Sequence, residues 1–407
     1  MLSLETNELL TGVGPGTPMG ELLRRYWHPV GAGSELEDHP TKPVRVLGED
    51  LVLFKDLKGR VGLIERACAH RRVDLSYGLP EEAGLRCAYH GWVYDTAGRC
   101  VEQPFEEAAL PGSGFKDKVR LTAYPVQELG GLLFAYMGPD PAPLLPRWDL
   151  LLWDNVVRNI EYVNLPCNWL QIMENSVDPV HFQWLHRYLS SRIGASNKGT
   201  GYRNHQKIGF DVFEYGIIKR RLSTGETEDD PEWRVGHPLV FPNILRLANQ
   251  LQIRVPVDDT HTMHWLYTCH VPPDGVTAPA QDRVPSQEVP MLDADGRHDV
   301  SFTNGQDMMA WVTQGPIAKR EREKLGQSDV GLIMYRRMLQ EQMGIVQDGG
   351  DPMNVFRDPE RNRVLTLFHA ASAVEASRRV LGDAGPRGSG VGELVEEMFA
   401  RSPSSRD

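Results

Sequence analysis

One spacing constrains this chain more than any other: Cys68-Ala-His70, then sixteen residues, then Cys87-Ala-Tyr-His90. Each cluster pairs one thiol with one imidazole. Each lies beside a turn signal, in sequence that reads as short β runs. VRVLG, LVLF, VGLIE, WVYD and LLFAYMG alternate with GED, KGR and TAGR between Val44 and Tyr136. Apolar runs broken by Gly, Asp and Lys predict an all-β module of roughly 100 residues. Its four sulfur and nitrogen donors would converge from two hairpin loops.

Two thiolates on one iron and two imidazoles on a second are the donor set of a Rieske-type [2Fe–2S] cluster. Neutral imidazoles in place of thiolates raise its reduction potential. A Cys2His2 zinc site uses the same donors, but zinc spacing places a Cys pair first and a His pair later, usually with a helix. Here every cluster is mixed and both sit between strands, so iron–sulfur is the reading we adopt. Gly91 permits an unusual backbone angle, and Trp92 and Tyr89 are placed to shield a cluster from water. There are five cysteines, Cys68, Cys87, Cys100, Cys167 and Cys269. This odd, sparse set is no disulfide framework. It fits a reducing cytoplasm and leaves Cys68 and Cys87 free for metal.

The rest of the chain changes character. Residues 17–26 predict a short helix, with Thr17 as cap and Pro18 at its first position. Residues 138–148, GPDPAPLLPRW, are proline-rich and read as a linker. Beyond it come a helical stretch at 168–189, strand-like runs across 207–270, an exposed loop at 272–300 and helical sequence at 304–345. The expected class is α+β, with an antiparallel sheet flanked by helices in the second domain. We place the units at 1–43 (a helical segment packing on the second domain), 44–138, 139–400, and a disordered tail at 401–407.

The second domain carries its own donor pattern, Glu174-x3-Asp178-x2-His181-x4-His186. Glu174, Asp178 and His181 fall at i, i+4 and i+7, one face of a helix. His186 lies five residues beyond His181, off that face, so the helix must be distorted. Pro179 disfavours α conformation at Asp178 and removes a donor. Two histidines and one carboxylate with open positions form the facial triad of O2-activating iron(II) enzymes. Asp307 is the candidate carboxylate, with Asp258, Asp259 and Asp329 also available. A histidine pair alone is weak evidence. It gains force beside an electron-transfer cluster, because each centre needs the other.

At this point the chain resembles the Rieske non-haem-iron oxygenases, which carry C-x-H…C-x2-H followed by E-x3-D-x2-H-x4-H. GVGPGTPMGELLRRYWHPV, GLRCAYHGWVYD and QGPIAKREREKLGQSD look like phthalate dioxygenase-type oxygenase subunits, and ENSVDPVHFQWLH looks like phenoxybenzoate dioxygenase-like members. The resemblance implies a Rieske domain followed by a helix-grip catalytic domain. It implies that Cys68, His70, Cys87 and His90 bind the [2Fe–2S] cluster and that His181, His186 and Asp307 bind mononuclear iron. It implies that Asp178 bridges His181 to His90 of a neighbouring subunit in a head-to-tail trimer or a multiple of one. Electrons would come from a reductase carrying FMN and a plant-type [2Fe–2S] centre, and NAD(P)H would bind there only. Ala69 stands where many relatives have Pro, and Val312-Thr313-Gln314 and Lys319 also depart from the common pattern.

The function expected is O2-dependent oxidation of an aromatic substrate, with a carboxylate such as a phthalate or phenoxybenzoate foremost. The oxidation would be ring dihydroxylation or angular ether cleavage, with O- or N-demethylation as the alternative. A non-catalytic Rieske electron carrier would leave the histidine pair unexplained, and a zinc-stabilised binding protein would be colourless. A net charge of −11 argues against nucleic acid and anionic membrane as partners. No apolar run of about 18 residues predicts a membrane span. Arg192, Arg203, Arg246 and Arg254 are expected at the surface, and Phe182, Trp184 and Trp265 in the core. Gly12-Val-Gly14-Pro-Gly16 lacks a preceding strand, so no dinucleotide site is expected.

Overall fold

The β runs of the first third form three small antiparallel sheets. One joins Thr41–Val46, Glu49–Lys55, Val61–Glu65 and Ala123–Tyr124. A second joins Leu79–Glu81, Gly84–Arg86, Val93–Tyr94 and Cys100–Glu102. Between them lies a compact apolar core of Val52, Phe54, Ile64, Leu75, Leu85, Tyr94 and Leu121, which also contains Cys68 and Cys87. The structure is a computed structural model that describes residues 1–194, 204–380 and 391–401.

The third sheet alters the expectation for residues 1–43. Three helices do form there: Leu4–Thr11, Pro18–Leu23 with Thr17 Oγ1 accepting the Gly20 N–H at 3.1 Å, and Gly33–Asp38. Trp27–Ala32, however, is a strand, paired with Leu132–Tyr136. Its residues are buried throughout, so it reads as an apolar run with no helical period.

The second domain is built on a sheet that has eight strands among the described residues. Its order is His205–Phe213, Gly216–Ser223, His237–Val240, Ile244–Leu247, Gln250–Asp258, His261–His270, Val157–Leu165 and Ser286–Glu288. Neighbours are antiparallel except the last pair, which is parallel. Helices Trp169–Val177, Thr303–Val312 and Val330–Gln347 accompany the sheet. Met308 and Trp311 are buried against Ile172, Val163 and Leu165, which pins the Thr303–Val312 helix over the sheet. Burial of side chains this size contributes about 1.5–3 kcal/mol each. Gly305 lets the chain before that helix fold back against it, because a Cβ there would lie 1.8 Å from the Asp299 carbonyl oxygen.

The two domains are stitched by backbone: Leu47 and Gly48 donate to the carbonyls of Pro256 and Val257, each at 2.9 Å. The expected disordered tail lies outside the described residues from 402 onward, and before it Val391–Ala400 is a helix packed on Val157 and Val276. No helix among the described residues is long and apolar enough to cross a membrane.

Candidate functional site

The two Cys/His loops share one backbone frame. Cys68 N–H donates to the Val73 carbonyl at 2.9 Å, and Arg72 N–H donates back to the Cys68 carbonyl at 2.8 Å. Cys87 N–H donates to the Trp92 carbonyl at 2.8 Å, and Gly91 N–H returns to the Cys87 carbonyl at 3.0 Å. The fourth residue after each cysteine is left-handed, Arg72 at φ 62° and Gly91 at φ 76°. Glycine adopts this freely, whereas Arg72 incurs roughly 1–2 kcal/mol. Both thiols are buried and neither is in a disulfide.

The histidines face outward from this frame. The His70 and His90 ring centroids are 4.4 Å apart. His70 stacks on Trp92 at 4.5 Å and 7°, and its Nδ1 is buried without a hydrogen-bond partner. His90 is exposed, with Tyr89 beside it. Tyr94 Oη lies 3.2 Å from Cys68 Sγ. A buried thiol pair, an orphaned imidazole nitrogen and an exposed imidazole edge fit a cluster that needs two sulfur and two nitrogen donors. Trp92 is placed as the sequence suggested, whereas Tyr89 is itself exposed to solvent.

The second pattern folds around a break. The Trp169–Val177 helix ends at Asp178, whose backbone is extended at φ −76° and ψ 123° ahead of Pro179. From Phe182 to Leu189 the chain is a π-helix. Hydrogen bonding from i to i+5 brings residues five apart to the same side, and the His181 and His186 rings lie 5.2 Å apart. Asp307 arrives from the Thr303–Val312 helix. One donor atom from each of His181, His186 and Asp307 lies within 4.8 Å of the other two.

The hydrogen bonds outside this trio fix which nitrogens face it. Gln306 Nε2 donates to Ser190 Oγ at 2.8 Å and to the Val300 carbonyl at 3.0 Å, so its Oε1, 3.0 Å from His186 Nδ1, accepts. His186 therefore carries its proton on Nδ1 and a lone pair on Nε2, 3.2 Å from Asp307 Oδ1. His181 Nδ1 sits 3.2 Å from Asp178 Oδ2, which leaves its Nε2 lone pair toward Asp307 at 3.9 Å. Asp307 Oδ1 is buried and accepts no hydrogen bond. Two aimed lone pairs and a carboxylate oxygen with no donor fit a metal cation, and the donor types suit iron(II) with open positions. Burial opposes the charge on Asp178, but the His181 ring and the Val180 N–H hold its carboxyl below the ordinary carboxylate range.

Gln306 was legible only as a neighbour of Asp307, and its role appears when Ser190 and Val300 are seen to orient its amide. Gln306→Leu keeps the volume and removes the acceptor from His186. Iron affinity should fall by about 10–100-fold with the iron–sulfur content unchanged, as measured by metal analysis after graded chelation.

Several expectations change. Glu174 does not share a face with Asp178 and His181. It is buried, held by Arg320 (2.9 Å from Nε, 2.7 Å from Nη2) and by Arg336 Nε at 2.7 Å. Asp258 hydrogen-bonds His261 and Thr260, Asp259 accepts from Val13 N–H, and Asp329 caps Gly326, so none of these joins the trio. Arg246 and Arg254 are buried, not superficial. Arg192 is exposed and Arg203 lies outside the described residues. Trp265 is core, Phe182 is half-buried with its ring 5.7 Å from that of His186, and Trp184 is half-exposed.

Known proteins resemble this chain. Residues 26–125 match the family described as Rieske [2Fe-2S] domain, and residues 295–371 match that described as LigXa C-terminal domain like. The chain is 47% identical over 369 residues to the 5,5'-dehydrodivanillate O-demethylase oxygenase subunit of Sphingobium sp. (strain NBRC 103272 / SYK-6), covering 90% of this chain and 86% of that protein. It is 33% identical over 394 residues to the phthalate 4,5-dioxygenase oxygenase subunit of Pseudomonas putida, covering 86% and 88%. The solved structure of NdmA from Pseudomonas putida CBB5 superposes with a TM-score of 0.61 over 84% of this chain and 96% of that one, at 23% identity, which is a likeness of fold.

Proposed function

The chain belongs to the Rieske non-haem-iron oxygenases as an oxygenase component dependent on a separate electron-transfer protein, and we propose that the bond it oxidises is the methyl C–H of an aromatic methyl ether. The observation that carries the reaction type is the 47% identity to an O-demethylase across 90% of the chain, against 33% to a ring dioxygenase. Hydroxylation of the methyl carbon gives a hemiacetal, which collapses to a phenol and formaldehyde. The balance is one O2, two electrons and two protons per methyl group, with water as the second product.

Cys68, His70, Cys87 and His90 would hold the iron–sulfur cluster, and His181, His186 and Asp307 the mononuclear iron. When bound, the cluster supplies single electrons and the mononuclear iron activates O2 beside the substrate. The protein's part is placement. Gln306 and Asp178 each keep a proton on the Nδ1 of one histidine and so aim both Nε2 atoms inward. Asp178 also offers a route from outside. Its side chain is 27% exposed and His90 is exposed on the other domain. Contact between His90 of one protomer and Asp178 of its neighbour, in a head-to-tail trimer, would use both surfaces. The electron donor in this reading is a reductase with FMN and a plant-type [2Fe–2S] centre.

The test combines metal and acid-labile sulfide analysis with turnover of 3,4-dimethoxybenzoate by the reconstituted system. Formaldehyde released one for one with O2 consumed is the expected result. A cis-dihydrodiol without formaldehyde would replace demethylation by ring dioxygenation, the second reading, which rests on the similarity to phthalate 4,5-dioxygenase. Zinc without sulfide would end both.

A further inference from the structure

The inner face of the catalytic sheet carries a group of buried polar side chains among apolar ones, where a sheet under helices is ordinarily apolar. On the Gln250–Asp258 strand the side chains of Gln252 and Arg254 share one face. Register carries that face across the sheet. Arg254 stands opposite His264, and Gln252 stands opposite Leu245, which continues through Leu239 to Ile217. Two residues beyond Ile217, on the same side, is Lys219, opposite His237. Lys219, Gln252, Arg254 and His264 are all at most 6% exposed.

This face is turned toward the metal trio. Val163, the other neighbour of His264, packs with Met308 and Trp311 beside Asp307, and the His264 ring lies 5.3 Å from that of Trp311. Lys219 Nζ donates to the Asp178 carbonyl at 3.3 Å. Yet the polar atoms here are incompletely satisfied. Arg254 Nε, both ring nitrogens of His264 and Trp311 Nε1 are buried without a hydrogen-bond partner. Arg254 reaches only the Gln252 carbonyl at 3.0 Å and Gln252 Oε1 at 2.5 Å, both neutral. Of the nearby acids, Asp178 binds His181, Glu232 binds Arg221 and His237, and Glu174 binds Arg320 and Arg336, while Asp307, whose charge is felt by both cations, makes no salt bridge to either and belongs to the metal trio. Two cations therefore lie buried without a salt bridge among the described residues. Burial pushes the Lys219 ammonium down to about 7 and the Arg254 guanidinium down to about 9. A buried charge without a directly paired counter-charge is costly, and once Asp307 is committed to a metal, an anion seated between the two cations would relieve both.

We propose that Lys219 and Arg254 form the receptor for a carboxylate on the substrate, with His264 as a further polar contact, and that this pairing orients the ring toward His181, His186 and Asp307. The inference rests on the oxygenase reading of the trio but is indifferent to the choice between demethylation and ring dioxygenation. It assigns the substrate class, an aromatic acid, to residues of the sheet.

The experiment is calorimetric titration of the anaerobic holoenzyme with three acids, benzoate, phthalate and 3,4-dimethoxybenzoate, and with their uncharged amides. The acids should bind at least about 10-fold more tightly than the amides, the scale of a charge-assisted hydrogen bond. Lys219→Met and Arg254→Met should each weaken acid binding by about 10–100-fold and leave amide binding within a few-fold. Their melting temperatures should not fall, because each removes a buried charge that has no salt bridge, whereas a purely structural pair would lose stability. Lys219→Arg and Arg254→Lys keep the charge and should keep the preference for acids, which covers the case of a Met variant that does not fold. Acids that bind no better than amides, or Met variants that weaken both alike or neither, overturn the proposal. A failure of the oxygenase reading is seen separately, as missing iron or sulfide in the same preparations.

Discussion

Asp178→Asn lowers turnover by about 100-fold, the upper end of what partners of metal-bound histidines contribute, while both metal centres stay loaded. Three contacts explain why. Asp178 Oδ2 lies 3.1 Å from the His181 backbone nitrogen and 3.2 Å from His181 Nδ1, and Oδ1 accepts the Val180 N–H at 2.7 Å. Asparagine keeps the shape but has one acceptor oxygen, so its amide nitrogen must face a donor. The negative charge that would make His181 a stronger ligand is lost as well. If Asp178 also joins His90 of a neighbouring protomer, electron arrival slows with it. The measurement is product formed in a single turnover from the pre-reduced protein, beside iron and sulfide content and the Rieske EPR signal. Wild-type turnover with intact centres would remove Asp178 from the electron path.

The largest effect on stability is expected away from the metals. Glu174 is buried with Arg320 and Arg336, Arg336 makes two hydrogen bonds to Glu323, and Arg320 Nη1 donates to Asn7 Oδ1 at 3.0 Å. The cluster is neutral as a whole, with two guanidinium and two carboxylate groups. Glu174→Ala strands Arg320 without a charged partner, and breaking one side of a buried pair costs about 3–5 kcal/mol. Arg320→Met together with Glu174→Met removes the Glu174–Arg320 pair and should cost less than Glu174→Ala alone, although Arg336 keeps only Glu323. Urea denaturation of the three proteins reads the difference. A loss under about 1 kcal/mol for Glu174→Ala would mean that the network is solvated and contributes as a surface pair does.

What the sequence revealed follows the range of each interaction. The cluster loops were legible because their four donors lie within 23 residues and the strand–turn pattern around them is local. The helix distortion was legible from the five-residue histidine spacing and Pro179, although its form, a π-helix, was not. Glu174 was misplaced because helical spacing was extended through Asp178, where the helix has ended, and because its partners lie 146 and 162 residues away. Asp307 was one acid among several until the family pattern singled it out. Arg254 was expected at the surface because a charged side chain is ordinarily solvated, and on an antiparallel sheet the polar side can face water. That inference fails when helices cover the polar side too, which no periodicity within the strand reports.

The wide separation of the donors also orders events during synthesis. A chain emerging from its N-terminus at about 5–20 residues per second exposes Cys68 through His90 and the strands that frame them well before Asp307. The iron–sulfur domain can close on its own donors while the histidine pair still lacks its carboxylate. Glu174 waits for Arg320 and then Arg336 before its charge is met. Sulfur-containing cofactor can therefore be received by a nascent chain, whereas iron has a complete pocket only once the later helices are in place. On the proposed ligand assignment, the order of the residues separates completion of the two sites into two stages.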